Sequence, residues 1–320
     1  MKKLAILCSG GDSQGMNVCI KVFTNYCRRN GVTPIGVRRG FQGLIDNDML
    51  ELTPSFVENI DRMGGSVIKS SRCLDFKTPQ GVKKTVDVIR ENEIDGVIVC
   101  GGDGSFRGVL ALVGAGVSAI GIPCTIDNDL FYTKRSIGFD TAVSNAVKVI
   151  DDVMQTMSTN NRGLVVKVMG RHCGDIAIQT AITTLAHSLA VNEINSSMES
   201  VLLDVKNAID KGVESPIVVV SENVDFKVED LAKYLEENTG KEFRFTDIGY
   251  LARGGAPSVY DRYISTRFAV YAVDLLLQLK SGYAVGVQNN EVVAINIEDV
   301  YNYKQDFDEE LVNYFKELNA

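Results

Sequence analysis

The feature that most constrains the fold is a repeated alternation of short apolar runs with segments of helical periodicity. The runs "LAILC" (4–8), "GVIVC" (96–100) and "SAIGIP" (118–123) are apolar at nearly every position, which is typical of strands buried on both faces. Apolar residues in 16–27 instead recur at i, i+3, i+4 and i+7, which predicts a helix that ends before Gly31. Buried strands that alternate with helices predict a parallel sheet covered on both sides.

The second half of the chain repeats this pattern. The runs "GLVVKVM" (163–169) and "SPIVVVSE" (215–222) are typical of strands, and the apolar residues of 198–209 predict a helix between them. Thr78 followed by Pro79 predicts the start of a helix, and Gly240 predicts the C-terminal cap of another. The chain is therefore expected to be an α/β protein.

Composition excludes several classes of function. The 320 residues carry a net charge of −8, which argues against general binding of nucleic acid or of anionic membranes. No apolar run is long enough to span a bilayer, and glycines end the first run too early for a signal peptide. Seven cysteines occur without CxxC or Cys/His spacing, which fits reduced thiols and predicts neither disulfides nor a zinc site. We expect a soluble cytoplasmic protein.

Two stretches share the order strand, Gly-Gly-Asp, helix: "CSGGDSQGMN" (8–17) and "CGGDGSFRG" (100–108). Glycines let backbone amides approach a ligand, and the helix N-terminus that follows favours anions. The pattern therefore indicates a phosphate site at the carboxyl end of the sheet. Neither stretch matches the P-loop or the dinucleotide-binding pattern. For either stretch alone, a tight strand-to-helix connection without a ligand is the alternative.

Acidic residues accompany these turns. Asp103 lies between glycines and is a candidate ligand for a phosphate-bound Mg²⁺, which proteins usually hold with one or two carboxylates. Asp12 is either a similar ligand or the N-cap of the next helix. A third strand end carries Asp127 and Asp129 in "IPCTIDND" (122–129). Asp127 is a candidate base for a hydroxyl that attacks a phosphate, whereas Asp129 is either its partner or a helix cap.

Five arginines are candidate phosphate ligands in this acidic chain. Each stands outside the predicted helices, near a glycine or a strand end, and a guanidinium group matches phosphate oxygens well. Any one of them alone would be an ordinary surface charge. They are Arg72, Arg162, Arg171, Arg244 and Arg253.

Six motifs occur in order along the chain: "SGGD..GMN" (9–17), "GGDGS" (101–105), "TIDND" (125–129), "SIGFDTA" (136–142), "VMGRHCGD" (168–175) and "ARGGAP..YDR" (252–262). The set resembles the bacterial ATP-dependent 6-phosphofructokinase family over essentially the full chain. GGDG alone also occurs in lipid and nicotinamide-nucleotide kinases, so the specificity lies in the ordered set. The resemblance implies transfer of the γ-phosphate of ATP, with Mg²⁺, to the 1-hydroxyl of fructose 6-phosphate.

The resemblance also implies the role of each matching residue. The implied catalytic residues are Asp127 as base, Thr125, Asp129, Arg171, Arg72 and Gly11. The implied nucleotide site comprises Gly11, Arg72, Cys73, Gly102, Asp103, Gly104 and Ser105, with Asp103 on Mg²⁺. The implied sugar-phosphate site comprises Thr125, Asp127, Arg162, Met169, Gly170, Arg171, Glu222, Arg244, Tyr250 and Arg253.

Two lobes follow from the resemblance, each a mainly parallel sheet flanked by helices. The larger, nucleotide-binding lobe is implied to hold 1–138 with 252–302. The smaller lobe, for the sugar phosphate and subunit contacts, is implied to hold 139–251 with 303–320. Arg162 and Arg244 resemble a pair that reaches into a neighbouring subunit, so a homotetramer with shared active sites is expected.

Some positions depart from the family pattern. Members that use pyrophosphate tend to carry aspartate at the position of Gly104 and lysine at that of Cys124, so this sequence favours ATP. Cys124 stands where ATP users usually have glycine, and it is expected to be a small buried residue. Tyr250 stands where the family usually has a histidine that helps to hold the 6-phosphate, and Ala252 stands where a glutamine is common. We therefore expect a weaker affinity for the sugar phosphate or a different sugar.

The positions that match the family's effector pocket have lost most of their charged ligands. These positions are Lys21, Asn25, Pro54, Met154, His187 and Val213, and Lys211 is a further cation nearby. A pocket without arginines binds polyanions poorly. We expect a weak response, or none, to ADP and phosphoenolpyruvate.

Three alternatives stay open at the level of sequence. The first is a pyrophosphate-dependent phosphofructokinase. The second is a non-catalytic regulatory paralogue that binds sugar phosphate, which Tyr250 favours and the intact acidic residues oppose. The third is a nicotinamide-nucleotide kinase, which leaves "MGRHCGD" and "ARGGAP" unexplained.

Overall fold

The computed structural model, which describes residues 1–304 and 309–319, divides the chain into two units. The first unit holds Met1–Thr141 and the segment from Arg253 to residue 304. The second holds Ala142–Ala252 and the C-terminal helix. Each unit is built on its own sheet.

The strands are, in chain order, β1 (Lys3–Cys8), β2 (Thr33–Val37), β3 (Met49–Glu51), β4 (Gly96–Gly101), β5 (Ala119–Pro123), β6 (Gly163–Val168), β7 (Ser188–Ala190), β8 (Ile217–Ser221), β9 (Phe243–Asp247), β10 (Tyr283–Gln288) and β11 (Glu291–Asn296). The α-helices are α1 (Met16–Arg29), α2 (Phe41–Asp46), α3 (Pro79–Glu91), α4 (Asp103–Gly114), α5 (Phe139–Thr159), α6 (Asp175–Thr183), α7 (Met198–Asp210), α8 (Val228–Thr239), α9 (Val259–Leu277) and α10 (Glu309–Asn319). None of the helices in the described residues is long and apolar enough to cross a membrane.

The sheet of the first unit has seven strands in the order β11-β10-β5-β4-β1-β2-β3. Its central strands are parallel, and β3 and β11 pair antiparallel at the two edges. The register places Cys8 of β1 beside Cys100 of β4. The carboxyl ends of β1, β4 and β5 therefore lie side by side at one edge of the sheet.

Both faces of this sheet are buried. Leu4 and Ile6 of β1 pack on one face with residues of α1 and α9, whereas Ala5 and Leu7 pack on the other with residues of α2, α3 and α4. Successive side chains of a strand point to opposite faces, so a strand that is apolar at every position needs cover on both sides. The predicted α/β architecture, with a mainly parallel sheet between helices, is confirmed.

The second unit has a smaller sheet in the order β7-β8-β6-β9, and all of its pairings are parallel. Its core includes Val165 of β6 and Val218 and Val220 of β8, packed against Val205 of α7 and Leu231 of α8. This sheet again presents the carboxyl ends of its strands at one edge.

Helix ends follow the sequence signals closely. Thr78 is the N-cap of α3, where its Oγ1 accepts a hydrogen bond from the Gly81 amide at 3.1 Å. Gly240 caps α8 in the left-handed conformation, with φ 69°. The antiparallel edge strands β3 and β11 were not predicted, because both are short or only half-buried and lack the apolar run of a central strand.

A buried carboxylate joins two of the sequence motifs within the first unit. Asp261, at the start of α9, is fully buried and accepts hydrogen bonds from the amides of Gly138 and Thr141, at 2.9 and 2.8 Å, and from Thr141 Oγ1 at 2.5 Å. Burial raises the pKa of Asp261 to about 6, against an ordinary value of 3.8. "YDR" and "SIGFDTA" are thus tied together by one acidic side chain.

The replacement Asp261→Asn removes this titration while keeping the size of the side chain. The folded protein holds the Asp261 proton to higher pH than the unfolded chain does, since folding raises the pKa to about 6. The stability of the wild type relative to Asp261→Asn is therefore greatest below about pH 4 and declines by about 3 kcal/mol as the pH rises through 6. Urea unfolding of both proteins across this pH range measures the difference.

The control is Asp87→Asn, the same chemical change at an exposed position of α3. It corrects for the loss of one negative charge. The prediction is contradicted if the free energy of unfolding of the wild type relative to Asp261→Asn does not change with pH, or if it increases as the pH rises.

Candidate active site

Three loops meet at the carboxyl edge of the larger sheet, because β5, β4 and β1 are neighbours in that order. We call them the first loop (9–15, after β1), the second loop (101–105, at the end of β4) and the third loop (124–129, after β5). Backbone hydrogen bonds anchor the first and third loops to the end of β4: the Ser9 amide donates to Cys100 O at 2.9 Å, and the Cys124 amide donates to Gly101 O at 3.0 Å. The convergence predicted from the sequence is present.

Side chains add further links between the loops. Ser105 Oγ donates to the carbonyl of Ser9 at 3.1 Å. A Cβ atom on Gly102 would lie 3.5 Å from Cβ of Thr125, so the second and third loops are in contact there. Ser105 therefore holds the first loop to the second.

The second loop runs directly into helix α4. Gly102 is the N-cap residue and Asp103 is the first residue of the helix, so the free amides of the first turn face the loop. The Asp103 carboxylate has 37% side-chain exposure and lies 3.5 Å from Nε of Arg107. A Cβ atom on Gly104 would meet no atom within 4 Å, so this position faces open space. The turn offers amides, one carboxylate and room for a ligand.

The first loop holds a charged pair that the sequence did not predict. Arg253 Nη2 donates to Asp12 Oδ1 at 2.8 Å and to the carbonyl of Asp12 at 2.7 Å. Helix α1 begins at Met16 with Gly15 as its N-cap, so the interpretation of Asp12 as the N-cap is wrong. Gly15 takes the capping position because its φ of 108° suits a residue without a side chain.

The Arg253 side chain is packed closely against the first loop. Its Nε atom is buried and has no hydrogen-bond partner among the residues that the structure describes. A Cβ atom on Gly11 would lie 2.5 Å from its Nη2, so glycine at this position makes room for the guanidinium group. Arg253 is the last residue of a 3-10 turn (Gly249–Arg253), which corrects the expectation that all five arginines lie outside helical structure.

The third loop is a tightly braced turn. The Asp127 amide donates to Thr125 Oγ1 at 3.1 Å, and Asn128 adopts φ 53°. Ser136 Oγ donates to Thr125 O at 2.7 Å, and the Ser136 amide donates to Asn128 Oδ1 at 2.9 Å. No helix follows Asp129 directly, since α5 begins at Phe139, so the helix-cap alternative for Asp129 is wrong. The bracing fixes the backbone that carries Asp127.

The segment with Arg72 and Cys73 lies beside the first loop. Ser70 Oγ donates to Gly10 O at 3.0 Å. Cys73 Sγ donates to Gln42 Oε1 at 3.3 Å, and the Arg72 side chain is exposed. These two residues of the implied nucleotide site therefore belong to the same region of the first unit as the glycine-rich loops.

In the second unit, Glu222 braces the turn after β6. Its Oε1 accepts hydrogen bonds from the amides of Gly170 and Arg171, at 3.2 and 2.8 Å. A Cβ atom on Gly170 would lie 2.4 Å from the carbonyl oxygen of Cys173, so only glycine fits there. Arg171 adopts φ 56° at the tip, with Met169 half-buried before it. Glu222 therefore positions Arg171 through the backbone.

The two arginines expected to act across a subunit contact share one acidic partner. Arg162 Nε contacts Glu242 Oε2 at 2.6 Å, and Arg244 forms an ion pair with Glu242 Oε1. Tyr250 is 83% exposed. These side chains lie at the surface of the second unit, where they are accessible to a ligand or to a second chain.

A separate cavity of about 460 Å³ lies in the first unit, lined by Lys134, Arg135, Asp140, Tyr260, Val287, Asn289 and Asn290. It contains none of the residues predicted for the site. The candidate active site is therefore defined by its loops and not by this cavity.

Sequence reasoning missed the positioning roles of three side chains. Ser136 and Asn128 brace the third loop, and Asp12 holds Arg253. Ser136 opens the motif "SIGFDTA", in which the sequence alone indicates no role for this residue. Asp12 belongs to "GGD", and this local pattern does not predict its partner Arg253, which lies 241 residues further along the chain.

Comparisons with known proteins agree with this arrangement. A family model described as "Phosphofructokinase" matches residues 3–276. The ATP-dependent 6-phosphofructokinase of Finegoldia magna is 37% identical over 319 residues, which cover 100% of both chains. Phosphofructokinase from Saccharomyces cerevisiae superposes with a TM-score of 0.88 at 24% identity, covering 100% of this chain and 47% of that one. Pyrophosphate-dependent phosphofructokinase from Nitrosospira multiformis superposes with a TM-score of 0.86 at 20% identity, covering 100% and 92%.

The two structural likenesses establish the fold alone, because both proteins are less than 25% identical to this chain. The family itself follows from the sequence matches, because the model covers most of the chain and the curated relative aligns from end to end. This chain belongs to the phosphofructokinase family.

Proposed function

We propose that this chain transfers the γ-phosphoryl group of ATP to the 1-hydroxyl of fructose 6-phosphate, giving fructose 1,6-bisphosphate and ADP. The observation that carries the proposal is the convergence of the three loops at one sheet edge, with Asp103 on the second and Asp127 on the third. The full-length relationship to an ATP-dependent 6-phosphofructokinase supports this pair of substrates.

The nucleotide phosphates are proposed to bind the first and second loops. The free amides and the positive end of the dipole at the start of α4 favour phosphate oxygens. Asp103 suits Mg²⁺, because a single partly exposed carboxylate leaves the other octahedral positions to phosphate oxygens and water. When bound, the metal neutralises charge on the phosphates during transfer.

Asp127 is proposed as the general base. It accepts the proton of the 1-hydroxyl as that oxygen bonds to the γ-phosphorus, and the bridging oxygen leaves with its electron pair as part of ADP. The braces from Thr125, Asn128 and Ser136 support this role, because proton transfer requires a carboxylate held in a fixed direction. Asp129, on the same turn, is proposed as its electrostatic and positional partner.

Arginines are proposed to neutralise the moving and the anchoring phosphates. Arg72 and Arg171 steady the transferring phosphoryl group, and Arg253, whose guanidinium group is oriented by Asp12, binds a sugar-phosphate oxygen. Glu222 holds the backbone of Arg171. Tyr250, where the family usually has a cation, donates only a neutral hydroxyl. This substitution supports a weaker hold on the 6-phosphate.

The choice of ATP over pyrophosphate rests on space and charge at two positions. Gly104 faces open space, so nothing at this residue occupies the volume that an α-phosphate requires. Cys124 is 1% exposed and points into the apolar core, so it neither blocks a nucleotide nor supplies the charge of a lysine. Both features support a nucleotide donor.

We further propose a cytoplasmic homotetramer in which Arg162 and Arg244 contribute to a neighbouring subunit's site. Their common partner Glu242 holds both guanidinium groups together at the surface. All the cysteines are free, which supports a reducing compartment.

The replacement Asp127→Ser tests the base. Turnover with ATP and fructose 6-phosphate should fall by about 10²–10⁴-fold, because the hydroxyl of serine is too weak a base to take the proton. A coupled assay for fructose 1,6-bisphosphate measures the rate, and circular dichroism verifies the fold.

Asp87→Ser, on the exposed face of α3, is the matched control and should keep wild-type turnover. If Asp127→Ser turns over at a near-normal rate, Asp127 is not the base. If the wild type produces no bisphosphate from these substrates, the proposed reaction itself is wrong.

The effector positions are poorly suited to polyanions. Lys21 is already paired with Asp61 at 2.6 Å and donates to the carbonyl of Glu58 at 2.5 Å. His187 Nδ1 accepts the amide of Ile217 at 3.0 Å, and burial lowers the pKa of His187, so its ring stays neutral at physiological pH. Neither residue provides an available cation.

Millimolar ADP or phosphoenolpyruvate should therefore shift the half-saturating concentration of fructose 6-phosphate by less than about twofold. The measurement is a saturation curve at constant high ATP, which suppresses competition by ADP at the active site. A shift of several-fold with either compound contradicts the expectation.

A further inference from the structure

Three cysteine thiols lie together beneath the candidate active site. The Sγ atoms of Cys19, Cys100 and Cys124 all fall within 4.8 Å of one another. The three side chains are 0%, 0% and 1% exposed. Nothing in the proposed phosphoryl transfer uses them, so the cluster requires a separate explanation.

The fold assembles the cluster from three distant parts of the chain. Cys100 lies near the end of β4, Cys124 directly follows β5, and Cys19 belongs to α1, which covers this face of the sheet. Cys8 is the register partner of Cys100 on β1 and packs in the same core cluster. The linear spacing of the cysteines gives no sign of this arrangement, which is why the sequence predicted no zinc site.

One of the three thiols also has a hydrogen-bond partner outside the cluster. Cys19 Sγ donates to the carbonyl of Ser265 at 3.8 Å. Cys27, a buried cysteine on the same helix, does not belong to the group of three sulfur atoms. Metal ions bind the thiolate form of cysteine, so binding displaces the thiol protons of the ligands.

We propose that Cys19, Cys100 and Cys124 form a binding site for one divalent thiophilic d¹⁰ cation, such as Zn²⁺ or Cd²⁺. Thiolates bound to zinc at about 2.3 Å lie roughly 3.8–4.0 Å apart in tetrahedral or trigonal geometry. Three sulfur atoms within 4.8 Å of one another reach this spacing by movements of less than about 1 Å. Soft sulfur ligands select this class of cation over Mg²⁺, which prefers oxygen.

Charge in the apolar core favours a divalent cation over a monovalent one. Binding releases the three thiol protons to solvent and leaves a complex of net charge −1 with a divalent ion, against −2 with a monovalent one. The surrounding residues of this core cluster include Ile6, Ile122 and Phe268, which supply no compensating charge. Burying the smaller net charge costs less free energy.

The site is independent of the proposed catalytic Mg²⁺ but adjacent to its loop. Gly101 and Thr125 directly follow Cys100 and Cys124 in the chain, so a bound cation joins the roots of the second and third loops. The test below measures metal binding alone, so its result does not depend on whether the proposed kinase activity is correct.

The test is a titration of the full-length, fully reduced protein with Cd²⁺ in anaerobic buffer. Excess Mg²⁺ is present to occupy carboxylate sites. We expect one equivalent of Cd²⁺ per chain, a thiolate-to-metal charge-transfer band in the ultraviolet, and displacement by Zn²⁺. Native mass spectrometry gives the stoichiometry.

The test variants are Cys19→Ala, Cys19→Ser and Cys100→Ala, and the matched control is Cys27→Ala. Loss of a ligand should weaken Cd²⁺ binding by at least about 10-fold, an effect that even the loss of an outer-shell partner produces at metal sites. Cys27→Ala should bind as the wild type does. Circular dichroism verifies the fold, and the two Cys19 variants provide a result if Cys100→Ala does not fold.

The proposal is wrong if the wild type gives no stoichiometric charge-transfer band. It is also wrong if the band persists in both Cys19 variants or disappears in Cys27→Ala. A thiol count that is low after the metal has been removed with a chelator and the protein has been denatured identifies disulfide formation, which contradicts metal binding.

Discussion

The alignment of β1, β4 and β5 is the constraint on which the rest of the candidate site depends. These strands are parallel neighbours, so their carboxyl ends lie at one edge, and the Ser9 and Cys124 amides both bond to the β4 strand. Residues more than a hundred positions apart in the chain are brought together by backbone pairing. The glycines then allow the loops to approach one another, as the contact between Gly102 and Thr125 illustrates.

Much of this arrangement could be predicted from the sequence because its causes are local. Runs that are apolar at nearly every position identify β1, β4, β5, β6 and β8, and the pair Thr78-Pro79 identifies a helix start. The edge strands β3 and β11 were missed because edge position weakens the apolar pattern. The same locality explains why Gly-Gly-Asp pointed to a loop at a strand end.

Interactions between distant residues could not be predicted in this way. The N-cap interpretation of Asp12 was reasonable locally, but the charge of Arg253 from the far end of the chain competes for the carboxylate. The cap interpretation of Asp129 failed because the turn is held by Ser136 and continues without a helix. The cysteine cluster is the clearest case, since its members share no sequence spacing and meet only through sheet register and helix packing.

Arginines in this acidic chain are held in place by acidic residues of their own unit. Asp12 orients Arg253, Glu242 pairs with both Arg162 and Arg244, and Glu222 fixes the turn of Arg171. The pairing of Arg253, Arg162 and Arg244 reduces the conformational freedom that these three side chains lose when a phosphate binds. The net charge of −8 is therefore compatible with anionic substrates, because the positive charge is local and oriented.

The most direct test of the account is a panel of phosphoryl donors measured against fructose 6-phosphate with the wild-type protein. ATP should give fructose 1,6-bisphosphate, while pyrophosphate should support a rate at least about 100-fold lower, because Gly104 leaves room for a nucleotide and Cys124 supplies no charge. Equal or faster turnover with pyrophosphate, or no bisphosphate from either donor, would contradict it.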